Sequence, residues 1–269
     1  MHSPEAGHPG LPGDRPTPGE SRSRVLLEVT ALWLVTLLAI RAVVLVQRGG
    51  LPDWVLAAVP FLFIYAPVGL CRWRGVDPDG YRLSMPAFDD LAAWRDALLL
   101  NGLLIALIVV PWFAGYHVWQ NALAWGLDAW HGRHGWDPST LDLWGGVTPT
   151  ATWPSDAWLL VPYHLFFVAL PEEFFYRGYL QTRLNEVFPR RFVAFGAAWG
   201  WGLPLACLYF AFGHSLVEVR WWHFATFFPG LLFGWLRERT GNPLAGALVH
   251  AWCNVVVVFL DTAYGVRPP

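Results

Sequence analysis

Glu172 and Glu173 stand side by side at the end of an apolar run that begins near Trp158, and Arg177 follows four residues after the second acid. Placing an ionised side chain at the middle of a bilayer costs roughly 2.5 to 3.5 kcal/mol, so three charges here mark a working site or a salt-bridge cluster at a membrane boundary. On a helix Glu173 and Arg177 are one turn apart with the acid N-terminal, the favourable order for an ion pair. Glu172 points about 100° round the helix from Glu173 and toward a different neighbour. The expected division of labour follows. Glu173 and Arg177 fix the local structure, and Glu172 accepts a proton or binds a metal.

Two further polar clusters interrupt apolar stretches. Phe210 and His214 share one helical face, and so do His250 and Asn254. A lone histidine in a membrane helix is most often an interhelical hydrogen-bonder, and His117, His131, His134, His223 and the histidines of the N-terminal tail take that reading. His164, two turns before Glu172, is the exception to watch. A carboxylate, two imidazoles and an amide are the groups needed to activate a water and hold a developing oxyanion. They could equally hold a metal with an open coordination position.

These groups must be carried by a membrane scaffold. The chain has 269 residues, 55% hydrophobic and 14% charged, with a mean hydropathy of +0.37, which is too apolar for a soluble domain of this size. A formal charge of -2 and the lack of a basic run exclude a nucleic-acid partner. The odd cysteines Cys71, Cys207 and Cys253 read as small core residues, not as a disulfide framework or a zinc knuckle. Residues 1–24, rich in proline and glycine, are expected to be a disordered cytoplasmic tail with no signal peptide, and 25–269 a transmembrane domain. Seven spans are expected, since a crossing needs about 20 residues: Val25 to Gln47, with Glu28 and Arg41 snorkelling from its ends, then Leu51 to Cys71, Ala97 to Trp119, Ala157 into an amphipathic Gln181 to Phe188, Phe192 to His214, Trp222 to Trp235, and Pro243 to Tyr264. The tryptophan-rich stretch Gln120 to Asp156 suits a loop on the membrane surface. Twelve of the 18 arginines fall on one side of this arrangement and four on the other, so the N-terminus is expected in the cytoplasm and the C-terminus outside.

The set Glu-Glu-x-x-x-Arg from Glu172 to Arg177, Phe-x-x-x-His from Phe210 to His214 and His-x-x-x-Asn from His250 to Asn254 resembles the CAAX-protease and bacteriocin-processing (CPBP, or Abi) family of intramembrane proteases. The connecting stretch from Phe228 to Gly241 resembles it too. The resemblance covers about Trp158 to Phe259, with a protease core at about 157–264. It implies an all-α integral-membrane endopeptidase in which Glu172 and His214 activate the water, His250 and Asn254 support the oxyanion, and Glu173 and Arg177 occupy motif positions. It leaves open a glutamate-type or a metal-dependent reaction. In the second, Glu172, His214, His250 and Asn254 would be the ligands of a divalent metal such as zinc. The implied partners are the lipid bilayer and a membrane-protein or lipid-anchored peptide substrate. The stretch Pro171 to Gln181 also looks like bacterial members that trim a C-terminal sorting signal, at a bacterial inner membrane. Two other classes compete: a non-proteolytic immunity or scaffold protein, and a proton- or metal-coupled transporter, against which the absence of an inverted repeat argues.

Helix geometry sets one condition. Glu172 lies about 22 Å along the fourth segment and His250 about 10 Å along the seventh, both toward the cytoplasmic face, whereas a straight fifth helix puts His214 about 33 Å along, at the far face. A fifth helix broken at Gly196, Gly200, Gly202 or Pro204 is therefore expected if His214 shares the site.

Overall fold

A computed structural model describes residues 20–81, 90–134, 146–218 and 221–266. Seven helical elements and one short hairpin follow in order: α1 (Arg22–Arg48), α2 (Ala58–Arg74), α3 (Leu91–His134), the composite helix α4 (157–187), strands β1 (Phe192–Ala194) and β2 (Ala197–Trp199), α5 (Gly202–Val217), α6 (Phe227–Thr240) and α7 (Leu244–Tyr264). Four helical stretches, Arg22–Arg48, Asp53–Arg74, Leu91–Gly126 and Leu244–Tyr264, are long and apolar enough to cross a membrane. The architecture is an integral-membrane helix bundle. Its outer surface is apolar, as lipid requires: Leu103, Leu107 and Val110 on α3 are largely exposed.

The elements that carry the site depart from regular spans. Within α4, α-helical turns alternate with two π-helical stretches, His164–Ala169 and Phe174–Leu180. Pro162 and Pro171 lie in the α-helical turns around the first of them. Each proline lacks an N–H, so the regular ladder is interrupted and the i→i+5 pattern takes over locally. The fifth expected span is interrupted among its glycines, as expected, and its first part is a hairpin. Phe192 to Trp199 form an antiparallel hairpin whose turn, Phe195–Gly196, has positive φ at both residues, as tight hairpins need. The helix then begins at Gly202 and runs 16 residues, about 24 Å, which leaves His214 one turn from its end. α6 has 14 residues and follows a 3-10 turn at Trp221–Thr226, so neither α5 nor α6 has the length of a full crossing.

Three other expectations change. The surface loop expected from Gln120 is helical to His134, because α3 continues without a breaker; Trp125 rides on it, exposed, while Trp136 and Trp144 lie outside the described residues. The N-terminal boundary moves: Ser21 caps α1 from Arg22, and residues 1–19 lie outside the described residues. Glu28 and Arg41 do not snorkel. Arg41 donates to the Leu216 carbonyl at 2.6 Å, closing the C-terminal turn of α5. Glu28 accepts from Arg74 (3.0 Å), Tyr179 (2.7 Å) and Arg183 (3.0 Å), and Glu20 accepts from Arg74 at 2.7 Å and from Arg183.

A second network joins α4 to α6. Glu238 accepts from Gln181 (2.6 Å), Asn185 (2.8 Å), Arg190 (2.7 Å) and Arg237 (3.0 Å). The stretch expected to be amphipathic is buried almost throughout: Gln181, Thr182, Arg183, Leu184 and Asn185 all lie inside. Its polar groups meet partners on α1 and α6.

Candidate active site

The polar core of the site is built on the second π stretch of α4 and the glycines that face it. Arg177, fully buried, donates from Nη1 to Glu173 Oε1 at 3.0 Å and from Nη2 to the Gly230 carbonyl at 3.2 Å. One turn on, Gln181 donates to the Gly234 carbonyl at 3.0 Å. Gly230 and Gly234 form a small-xxx-small stripe on α6 that lets these carbonyls approach α4. A Cβ at Gly230 would stand 3.2 Å from Arg177 Nη2, and one at Gly234 would stand 2.9 Å from Gln181 Oε1. Phe210 lies over the Arg177 guanidinium, 4.3 Å from ring centre to Cζ, with Phe233 at 5.4 Å, so the buried cation is held by π faces as well as by an acid.

Glu173 is equally buried and turns to His250, whose Nδ1 sits 3.0 Å from its Oε1. A carboxylate accepts, so the Nδ1 edge of His250 carries a proton and Nε2 is directed away, 3.9 Å from Glu172 Oε2. Gly246 admits the second Glu173 oxygen, which a Cβ there would meet at 3.1 Å. Both glutamates thus face opposite edges of one imidazole. The expectation that Glu172 points to a different neighbour fails, because a π turn and a ring with nitrogens on two edges bring the adjacent acids to one residue. Phe233 stacks on His250 with ring centres 4.8 Å apart and planes 14° apart, locking the ring.

Glu172 opens into a cavity of about 270 Å³ that it shares with Tyr176, Gly213, His214, Glu218 and His223, walled by aliphatic side chains of α1 and α2. The late start of α5 therefore brings His214 and Glu172 to one chamber. The Nδ1 of His214 stands 2.9 Å from the Phe210 carbonyl, which can only accept, so its Nε2 carries the lone pair. A second cavity of about 520 Å³ holds His164, His214, His223, His250 and Asn254. His214 and His223 line both chambers, their ring centres 5.8 Å apart. All six expected residues are brought to one place: Glu173 and Arg177 beneath, Glu172 and His250 in contact across it, His214 between the chambers and Asn254 in the larger one.

His223 and Tyr176 were missed as wall residues. His223 sits on a 3-10 turn outside any helical repeat, and its Nδ1 donates to the Glu218 carbonyl at 3.0 Å. Only the adjacency of Tyr176 to Arg177 could have flagged that tyrosine.

Among the described residues no group of three or more His, Cys, Asp or Glu side chains converges as a metal site would require. The Nδ1 edges of His214 and His250 are held by Phe210 and Glu173, which leaves both Nε2 edges free, as in histidines that ligate a metal.

Comparison with known families places the part of the chain that carries this site. Residues 154–256 match the family model described as type II CAAX prenyl endopeptidase Rce1-like. That stretch, which contains all six residues, is thus similar to the Rce1-like CAAX endopeptidases. No curated protein and no solved structure matches the chain.

Proposed function

We propose that the protein hydrolyses a peptide bond of a membrane-anchored or lipid-anchored substrate in the chamber between Glu172 and Asn254, with water activated by glutamate and histidine. The observation that carries this reading is the convergence of Glu172 and His250 at 3.9 Å, with Glu172 and His214 lining one cavity of an apolar bundle. Glu172 takes a proton from the water, which the Nε2 lone pair of His214 orients. The resulting hydroxide adds to the scissile carbonyl. The proton moves from Glu172 to His250 Nε2, and the imidazolium so formed is supported at Nδ1 by Glu173, whose counter-charge is Arg177. His250 and the Asn254 amide then donate to the oxyanion, and His250 returns the proton to the leaving amine as the C–N bond breaks. No step runs through a metal. Metal analysis of the purified protein, with and without chelator, separates this glutamate-type reaction from a metal-dependent one.

The family description supports a prenylated C-terminal peptide as substrate class, and the stretch Pro171 to Gln181 supports trimming of a C-terminal sorting signal in a bacterial inner membrane. The arginine bias supports a cytoplasmic N-terminus and a position of Glu172 toward the cytoplasmic side. The test is Glu172→Gln in proteoliposomes with a fluorescence-quenched S-farnesyl CAAX peptide. Cleavage falls by at least about 100-fold if Glu172 is the base. A folded, inserted variant that cleaves at the original rate sinks the proposal.

A further inference from the structure

His164 opens the first π stretch of α4, and among the described residues no side chain or carbonyl bonds to its ring nitrogens; its ring packs nearly at right angles to that of Tyr163, centres 5.3 Å apart. Its Nδ1 is sealed inside protein without a partner. A buried N–H left unpaired costs more than a buried lone pair, which settles the tautomer: Nδ1 carries the lone pair, and the proton sits on Nε2. With the Nδ1 edge sealed, the Nε2 edge is the one by which His164 lines the 520 Å³ chamber, opposite His250 and Asn254. His214 and His250 each have Nδ1 against a carbonyl or carboxylate and so turn lone pairs outward. His164 turns a donor outward. An imidazole with no structural hydrogen bond, placed at a backbone irregularity of the kind that recurs at functional sites, has its partner in what enters the chamber.

We infer that His164 is a substrate-binding residue, donating from Nε2 to a main-chain carbonyl of the peptide held in this chamber. A neutral donor against walls made by Trp112, Phe233 and Val257 suits an amide carbonyl, which carries no charge to desolvate. The carbonyl in question flanks the scissile bond; the reacting oxygen itself falls to His250 and Asn254. The assignment rests on the proteolytic reading of the chamber and deepens it.

The probe is a fluorescein-labelled S-farnesyl CAAX peptide whose scissile amide is N-methylated, so that it keeps every carbonyl and is not cleaved. Binding to the full chain in detergent is read by anisotropy. His164→Phe preserves ring volume and weakens binding about 5- to 10-fold, the worth of one hydrogen bond. His164→Gln, which keeps a donor, recovers most of that loss. With the cleavable peptide, His164→Phe raises KM by the same factor and leaves kcat within about 2-fold, the signature of uniform binding. Unchanged affinity in His164→Phe, no advantage of Gln over Phe, or no binding of the probe by the parent protein each overturns the assignment. Failure of the proposed chemistry reads differently, as full cleavage by Glu172→Gln with the anisotropy result intact.

Discussion

The two adjacent glutamates differ in burial, and the roles proposed for them follow from that difference. Glu173 and Arg177 are closed off from solvent on both sides of a 3.0 Å bond, whereas the Glu172 side chain keeps 15% of its surface at the chamber. Removing one partner of a buried pair leaves a charge without compensation, at about 3 to 5 kcal/mol. Arg177→Met should therefore lower stability by that amount, and Glu173→Gln/Arg177→Met should lose much less than the sum of the single changes, as chemical unfolding in detergent can measure. Glu173→Gln alone should fold and yet lower kcat by about 10- to 100-fold, because an amide supports the His250 imidazolium poorly. Equal kcat for Glu173→Gln and the parent would remove Glu173 from the proton path.

Helix α4 is where local chemistry and packing meet. Its prolines disrupt the regular ladder, its second π stretch carries Arg177 between Glu173 and Gln181 in the flanking turns, all three facing α6 or α7, and the glycines there are what make room. Gly234→Val would put branched carbon against Gln181 Oε1 and Leu203, the latter 3.0 Å from the built Cβ. Overpacking of this kind costs about 1 to 3 kcal/mol, so a lower melting temperature and a shifted Glu238–Gln181 contact are expected. Gly213→Ala drives α5 against the Tyr176 hydroxyl and so moves the wall shared by His214 and Glu172. It should reduce cleavage more than stability, as paired activity and melting measurements would reveal. A variant with parental activity would show that the approach of α5 to Tyr176 does not set the site.

Across the whole molecule, the stability of one end rests on arginines that bridge helices distant in sequence. Burial raises the Glu20 carboxyl, but its bond to Arg183 and the charges of Arg183, Arg74 and Arg24 outweigh that, and its pKa ends below the ordinary 4.5. A depressed folded pKa stabilises fully above the unfolded value and is lost as pH falls through the folded one. The melting temperature should thus drop as pH is taken below about 4.5, and Glu20→Gln should flatten that part of the profile. An unchanged acid limb would place the loss elsewhere. At the other end of the bundle Tyr116 donates to Asp261, and His117 Nδ1 meets the Tyr264 hydroxyl at 2.7 Å, fastening α3 to α7.

The amino-acid sequence by itself determined the membrane class, the order of the helices and the identity of the six polar residues, because hydropathy and one-turn spacing are local properties. Glu173 with Arg177, and Phe210 with His214, are pairs within single helices and were legible for that reason. Only the tertiary structure decided which groups face one another: that both glutamates meet His250, that a hairpin forms the interrupted part of the fifth segment ahead of His214, and that Glu28 and Arg183 are buried in one network. Each depends on residues tens to more than a hundred positions apart, whose approach is set by glycines, prolines and packing that no periodicity records.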